Sequence, residues 1–360
     1  AFFGNAGKKD LVSKLTWQLE KPLAGRPESV GIAGELEIGL LRADLERGRS
    51  RAVVKIQDGC NSFCRYCIIP YLRGRCRSLP PEKVLAECRE LVAAGFREVV
   101  LTGIHIGRYG EETAAGFSLT SLLLQLVDEF PGLRLRLGSL QPHEITPEIM
   151  TLLLDPQSPV CEHLHLSLQS ASDRVLGAMG RPYRRPDIEK IFALLADGRG
   201  RLNVGTDLIV GFPAENERAF LETVELVEMV ELAYLHVFPY SPRRGTVAAS
   251  WPDRVSAAEK KARAKKLGAL GRHKKDVFSR KNLGNDLKVL LETRVDDIRY
   301  GAGWFGHSRN YLPVMVINQS ENNCLRAGSE VTVQAQDWDG RRLIAVWQSF
   351  SHLPVKSNLK

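Results

Sequence analysis

Cys60, Cys64 and Cys67 stand at C-x3-C-x2-C spacing within residues 59–70, Gly-Cys-Asn-Ser-Phe-Cys-Arg-Tyr-Cys-Ile-Ile-Pro, with Tyr66 directly before the third thiol. Thiolates are soft ligands that select zinc or iron–sulfur chemistry. A closed zinc site needs four ligands, commonly two C-x2-C knuckles, and this chain has no second knuckle. Three thiolates leave one iron of a [4Fe–4S] cluster open, and a reactive small molecule can bind there. A zinc site and plain burial of small apolar thiols are the competing readings. Asn61, Ser62, Arg65 and Tyr66 make a poor core segment, which argues against burial alone.

The elements that must position these thiols follow from periodicity. Residues 51–58 are apolar and β-branched (Ala52, Val53, Val54, Ile56) and predict a buried strand ending at the cysteine loop. Further strands are expected at 98–102, 133–137, 163–168, 202–210 and 234–238. Helices are expected at 81–94, 118–129, 147–154, 172–179, 185–195 and 215–230. Such alternation implies a parallel sheet, because parallel strands need crossover connections. A doubly wound sheet and a TIM-type barrel both fit, and both gather ligands beyond the carboxyl ends of the strands. The loops 59–70, 102–110, 139–143, 169–173, 211–215 and 239–246 occupy those ends. Six strands are too few to close a full barrel, so a curved open sheet with a lateral mouth is expected. Ser256 and Glu259 form a capping box opening a helix to about Lys281. Beyond it, strands at 287–293, 312–317, 330–335 and 342–346 suggest a small antiparallel barrel of a kind that commonly binds oligonucleotides.

The 360 residues are 44% hydrophobic and 26% charged, as in a soluble globular protein, and carry a formal charge of +8. Residues 256–281 hold ten Lys or Arg against Glu259 and Asp276, which accounts for the whole excess and points to a polyanion, nucleic acid first. A merely solvated helix face is the alternative. No run of ~18 apolar residues suggests a membrane span, and residues 1–10 have neither the basic nor the apolar region of a signal peptide. Of seven cysteines, Cys76, Cys88, Cys161 and Cys324 are scattered, so a reducing, cytoplasmic setting is expected rather than a disulfide framework.

Residues 59–77, including Ile68-Ile69-Pro70-Tyr71 and Arg73-Gly74-Arg75, resemble the methylthiotransferases of the radical S-adenosylmethionine superfamily. Leu101-Thr102-Gly103-Ile104-His105 with Tyr109-Gly110 is similar to the branch acting on threonylcarbamoyladenosine in tRNA (MtaB type). Residues 168–173, 206–213 and 236–241 add further matches. The resemblance implies a partial (β/α)6 TIM-like barrel over 46–282 and a C-terminal TRAM-like all-β RNA-binding barrel over 283–350, with a tail at 351–360. It implies a [4Fe–4S] cluster on Cys60, Cys64 and Cys67, whose open iron chelates S-adenosylmethionine. Tyr66 is then expected near the adenine of that cofactor. Thr102 and Gly103 are placed at its amino group, and Ser139, Gln169 and Asp207 at its carboxylate or ribose. His105 is a candidate for the substrate base, and Arg73, Arg75 and Arg77 for phosphate or carboxylate.

The implied reaction is transferase chemistry, 2-methylthiolation of N6-threonylcarbamoyladenosine at position 37 of tRNA. The implied partners are tRNA and an electron donor such as flavodoxin or ferredoxin, with no membrane, and a monomer is expected. Residues 1–45 read as a remnant of the family's N-terminal domain plus a linker. That domain's three cysteines carry a second [4Fe–4S] cluster, so sulfur insertion is expected to be missing from this chain alone. Ala214 and Asn216 replace the family's usual Gly and Thr, which questions the loop there, and Ala171 replaces Gly. Two other classes remain open: a non-catalytic RNA-binding protein with a structural iron–sulfur site, and a methylthiotransferase acting on another tRNA base or a ribosomal protein.

Overall fold

The computed structural model describes residues 50–114, 116–252, 255–317 and 325–347. The expected N-terminal remnant, the tail and Cys324 lie outside the described residues. The first strand runs as β1 (Arg51–Lys55), breaks at Ile56 and resumes as β2 (Gln57–Asp58). The single strand expected over 51–58 is therefore two. Ile56 is where the partner changes: its N–H donates to the Thr102 carbonyl at 2.9 Å, while its carbonyl accepts from Leu79 N–H at 2.8 Å.

The chain continues through α1 (Ile69–Arg73), β3 (Arg77–Ser78), α2 (Pro81–Ala93), β4 (Glu98–Thr102), α3 (Leu119–Glu129), β5 (Arg134–Leu137) and α4 (Pro147–Leu154). It then forms β6 (His163–Gln169), α5 (Asp173–Met179), α6 (Arg185–Leu194), β7 (Asn203–Val210), α7 (Glu217–Met229), β8 (Tyr234–Pro239) and α8 (Ala257–Lys281). Local chemistry sets several starts. Ser118 accepts from Ser121 N–H ahead of α3, and Ser256 accepts from Glu259 N–H ahead of α8. Asn216 accepts from Ala219 N–H at 2.9 Å, so the residue that departs from the family pattern caps α7 and holds the loop. β2 and β3 form a short antiparallel pair beneath the cysteine loop.

Strands β1, β4 and β5 pair in parallel, as do β6, β7 and β8. Parallel bridges Leu135↔Val160 and Leu140↔Leu166 join the two sets. Spatial order thus follows chain order. A doubly wound sheet reverses order at its switch point, so the barrel alternative is the one adopted. No ladder joins β1 to β8 among the described residues, leaving a partial (β/α)6 barrel open along one side. Its outer layer buries Val99, Leu101 and Leu135 against Leu122, Leu123 and Leu126 of α3 in one continuous core.

After α8, β9 (Asp286–Asp297), β10 (Gly301–Ser308), β11 (Pro313–Ile317), β12 (Glu330–Trp338) and β13 (Leu343–Trp347) close a five-stranded barrel. Two features differ from expectation. Gly301–Ser308 is a strand, although its glycine-rich sequence lacks a clear alternating pattern, and β11 pairs with β13 in parallel. Gly306 explains the first: a Cβ there would stand 2.1 Å from the Leu290 carbonyl oxygen, so the strand needs glycine to approach β9.

The two barrels join through the loop between β10 and β11. Asn203 donates to the Asn310 carbonyl at 2.8 Å, and Arg309 pairs with Glu162 at 3.1 Å. Tyr311, held at φ 63°, lies under Arg136 at 4.6 Å and beside His163 at 5.0 Å. Beneath it Glu98, fully buried, pairs with Arg134 at 2.9 Å and Arg136 at 2.7 Å. Burial opposes ionisation of Glu98, but Arg136 and Arg134 outweigh it and hold its carboxyl below the ordinary range.

Glu98→Gln leaves two buried guanidiniums short of an anion and should cost about 3–5 kcal/mol in denaturant unfolding. Because the folded carboxyl titrates lower than the unfolded one, its contribution is full above about pH 4.3 and is lost as pH falls through the depressed folded value. The variant should lack that acid-dependent share of the wild-type stability.

Candidate active site

The carboxyl ends of the strands meet at the mouth of the partial barrel, and the cysteine loop leaves the first. Gly59 sits at φ 73°, and a Cβ there would stand 2.0 Å from the Arg75 carbonyl oxygen, so this crossing requires glycine. Two buried side chains fasten the loop. The Asp58 carboxylate accepts from Gly59 N–H at 2.8 Å and pairs with Lys55 at 2.6 Å, Arg73 at 3.3 Å and Arg77 at 3.8 Å. The Gln57 amide donates to the carbonyls of Asp58 and Gly59 at 2.9 and 2.8 Å. Its oxygen accepts from the N–H groups of Ile104 and His105 at 3.1 and 2.7 Å. One glutamine thus ties the cysteine loop to the loop after β4.

Within the loop, Ser62 N–H points at Cys60 Sγ at 3.4 Å, and Cys67 N–H donates to the Cys64 carbonyl at 2.8 Å. Phe63 takes a left-handed φ of 44°, with the Arg75 guanidinium 4.7 Å from its ring. At the far side Arg65 N–H donates to the Met179 carbonyl, and its own carbonyl accepts from Ala248 N–H.

His105 is buried and faces Cys60, with Nδ1 3.4 Å from Sγ and 3.2 Å from Ser62 Oγ. Its Nε2 bonds Glu144, and the Gln141 amide lies 2.7 Å from the same nitrogen. Gly107 makes the space, since a Cβ there would stand 2.0 Å from Glu144 Oε2. Burial resists charging the imidazole, yet Cys60 and Glu144 raise His105 to about 9. Burial likewise resists the Cys60 thiolate, and His105 with Ser62 bring it down to about 7. Burial pushes the Cys67 thiol up.

Tyr66 is edge-on to Phe212 at 6.3 Å, and its hydroxyl accepts from Arg181 at 2.8 Å. Arg181 is only 7% exposed, forms no ion pair among the described residues, and leaves its Nε unpartnered. A buried guanidinium with no carboxylate calls for an anion beside it.

The remaining expected residues separate. Thr102 ends β4 and Gly103 follows it, where a Cβ on Gly103 would stand 2.8 Å from the Gln57 carbonyl oxygen. Ser139 follows β5 and is exposed, and Gln169 ends β6, buried, at φ 67°. Asp207 lies inside β7, its carboxylate between His165 at 3.1 Å and His236 at 3.2 Å. Arg73 and Arg77 pair with Asp58. His105 points at a thiol rather than outward. Sequence reasoning missed Gln57, Asp58, Glu144 and Arg181. A polar pair at the end of an apolar run was the available signal for the first two; nothing in spacing signalled the others.

The donor set suits a polynuclear cluster. The three cysteines share one loop and are all free thiols. Three soft thiols on one loop and a buried, anion-seeking guanidinium fit an iron–sulfur cluster with a carboxylate-bearing ligand.

A parallel partial barrel with three such thiols at its mouth defines a radical S-adenosylmethionine protein, and residues 54–227 match the radical SAM superfamily. The chain is 36% identical over 293 residues to threonylcarbamoyladenosine tRNA methylthiotransferase MtaB of Aquifex aeolicus, covering 80% of this chain and 69% of that protein. It is 37% identical over 268 residues to MtaB of Bacillus subtilis, covering 74% and 59%. It is 41% identical over 268 residues to tRNA-2-methylthio-N(6)-dimethylallyladenosine synthase of Moorella thermoacetica, covering 72% and 59%. The chain belongs to the radical S-adenosylmethionine methylthiotransferase family, with MtaB proteins among its relatives. The cofactors of that family, a [4Fe–4S] cluster and S-adenosylmethionine, are its cofactors. It spans about three fifths of the length of the Bacillus and Moorella relatives. No described helix is long and apolar enough to cross a membrane.

Gln57→Leu strips partners from two carbonyls and two N–H groups, each loss costing about 1–3 kcal/mol where the group stays buried. The variant should retain less iron after anaerobic reconstitution than wild type and melt at a lower temperature. Wild-type iron retention would show that the loop does not depend on this amide.

Proposed function

We propose that this chain provides the S-adenosylmethionine-cleaving and RNA-binding parts of a tRNA methylthiotransferase. In this reading the modified base is N6-threonylcarbamoyladenosine at position 37, substituted at C2. The observation that carries the reading is the three-thiol loop beside Arg181, a buried cation with no counterion among the described residues. Cys60, Cys64 and Cys67 hold the cluster. Bound there with S-adenosylmethionine, the cluster supplies one-electron cleavage of the sulfonium C–S bond. His105, fixed by Glu144 and Gln141, keeps the Cys60 sulfur anionic and oriented. Arg181 neutralises anionic charge at the site. Tyr66 borders the adenine, Thr102 and Gly103 present backbone to the amino group, and Ser139 and Gln169 border the methionyl carboxylate or ribose. Asp207, the other strand-end candidate, is engaged by the imidazoles of His165 and His236.

Support for RNA binding comes from the exposed face of α8. Arg263 pairs with Glu215 at 2.7 Å, Lys274 donates to the Val230 carbonyl at 2.7 Å, and Lys281 and Arg280 pair with Glu231 and Asp276. Lys260 donates to the Tyr240 carbonyl. Lys261, Lys265, Lys266, Arg272 and Lys275 are exposed and form the usable stripe, half of the basic residues counted in the sequence.

A second reading, dimethylallyladenosine as the base, is favoured by the identity to the Moorella protein. Transfer RNA carrying only one of the two modifications, offered to the reconstituted protein, should decide by which one stimulates deoxyadenosine release.

Arg181→Met should keep its irons and weaken S-adenosylmethionine binding by about tenfold to a hundredfold, the value of a charged hydrogen bond. Unchanged binding would remove Arg181 from the site. Lys265→Glu with Lys266→Glu should weaken tRNA binding and flatten its log–log salt slope by about two while leaving iron content unaltered.

A further inference from the structure

Within the barrel, below the mouth, three neighbouring strands converge three side chains. His165 of β6, Asp207 of β7 and His236 of β8 bring Nε2, Oδ1 and Nδ1 within 4.8 Å of one another. Both imidazole nitrogens approach the same carboxylate oxygen, at 3.1 and 3.2 Å. The strands set this up: Asp207 is the direct register partner of His236, and His165 is paired with Gly205, two residues before Asp207.

Gly205 is part of the construction. A Cβ there would stand 2.0 Å from the Tyr234 ring, so glycine lets that ring cross β7. The Tyr234 hydroxyl thereby reaches His165 Nδ1 at 2.9 Å and His163 Nε2 at 2.9 Å. With His165 Nε2 on a cation, Nδ1–H donates to the Tyr234 oxygen, and the tyrosine O–H donates on to His163. Metal-binding histidines commonly have such a partner on the second nitrogen. The Asp207 carboxylate has imidazoles as its ion-pair partners and no Lys or Arg among the described residues. Its side chain is 25% exposed and that of His236 55%, so one side of the group opens to the lumen.

We propose that His165, Asp207 and His236 form a binding site for one divalent first-row transition-metal ion, distinct from the cysteine loop. Two imidazoles and one carboxylate with an open side are the donor set of Zn2+ and non-haem Fe2+ centres that leave positions for water or substrate. The site stands on its own geometry, and its failure would leave the cysteine-loop reading untouched.

The test uses anaerobically reconstituted protein with its irons counted, so that the three loop thiols do not compete. Titration with Co2+, followed by calorimetry and by electron paramagnetic resonance of high-spin cobalt, should show one saturable equivalent per chain. His236→Gln, at a half-exposed position, and Asp207→Asn should each weaken it by about tenfold or more with the iron content retained. Absence of a saturable equivalent, or an equivalent that both variants leave unchanged, would overturn the proposal.

Discussion

The mouth of this barrel depends on two polar side chains placed where the first strand changes partners. Gln57 and Asp58 are buried, and burial of an amide and a carboxylate is tolerated only when their hydrogen-bonding capacity is met. Gln57 meets it with four backbone groups from two loops, and Asp58 with Gly59 and three cations. The cysteine loop is therefore fastened at its root and to the neighbouring strand end before any cofactor arrives. His105 is aimed at Cys60 by the same glutamine that holds the loop, so thiol position and thiol electrostatics share one support.

The opposite end of the barrel is closed by different means. Tyr311 and the backbone of residues 307–310 enter from the C-terminal barrel and cover the cations around Glu98. That arrangement joins the two barrels through buried charge and hydrogen bonding, beside an apolar contact in which Ala233 and Phe278 pack into the core of the C-terminal barrel. It also leaves the lumen polar along its length, with His163, Tyr234, His165, Asp207 and His236 stacked from the plugged end toward the mouth.

Much of the architecture was legible because its signals are local. Glu98–Thr102 and Pro147–Leu154 fall where apolar periodicity and helix-starting residues put them, and the capping box at Ser256 marks the start of α8. β10 was not legible because Gly306 answers to the approach of β9 and Gly303 to that of β11, tertiary demands that leave no alternating pattern. Along the sequence the basic helix presents ten equivalent cations, yet Arg263 is buried against Glu215 and Lys274 against backbone carbonyls, because those side chains fasten α8 to the barrel.

The sequence by itself determined the chemistry: three soft thiols at a strand end, with too few partners for a closed site, followed by repeated strand–helix units. Spacing along the chain is enough for that, since the thiols lie within one short loop. Only the tertiary structure decided what surrounds them. Glu144 reaches His105 across 39 residues, Arg181 reaches Tyr66 across 115, and Asp207 turns to histidines on both neighbouring strands. Those contacts are set by strand register and by glycines that clear space, and neither leaves a pattern short enough to read along the chain.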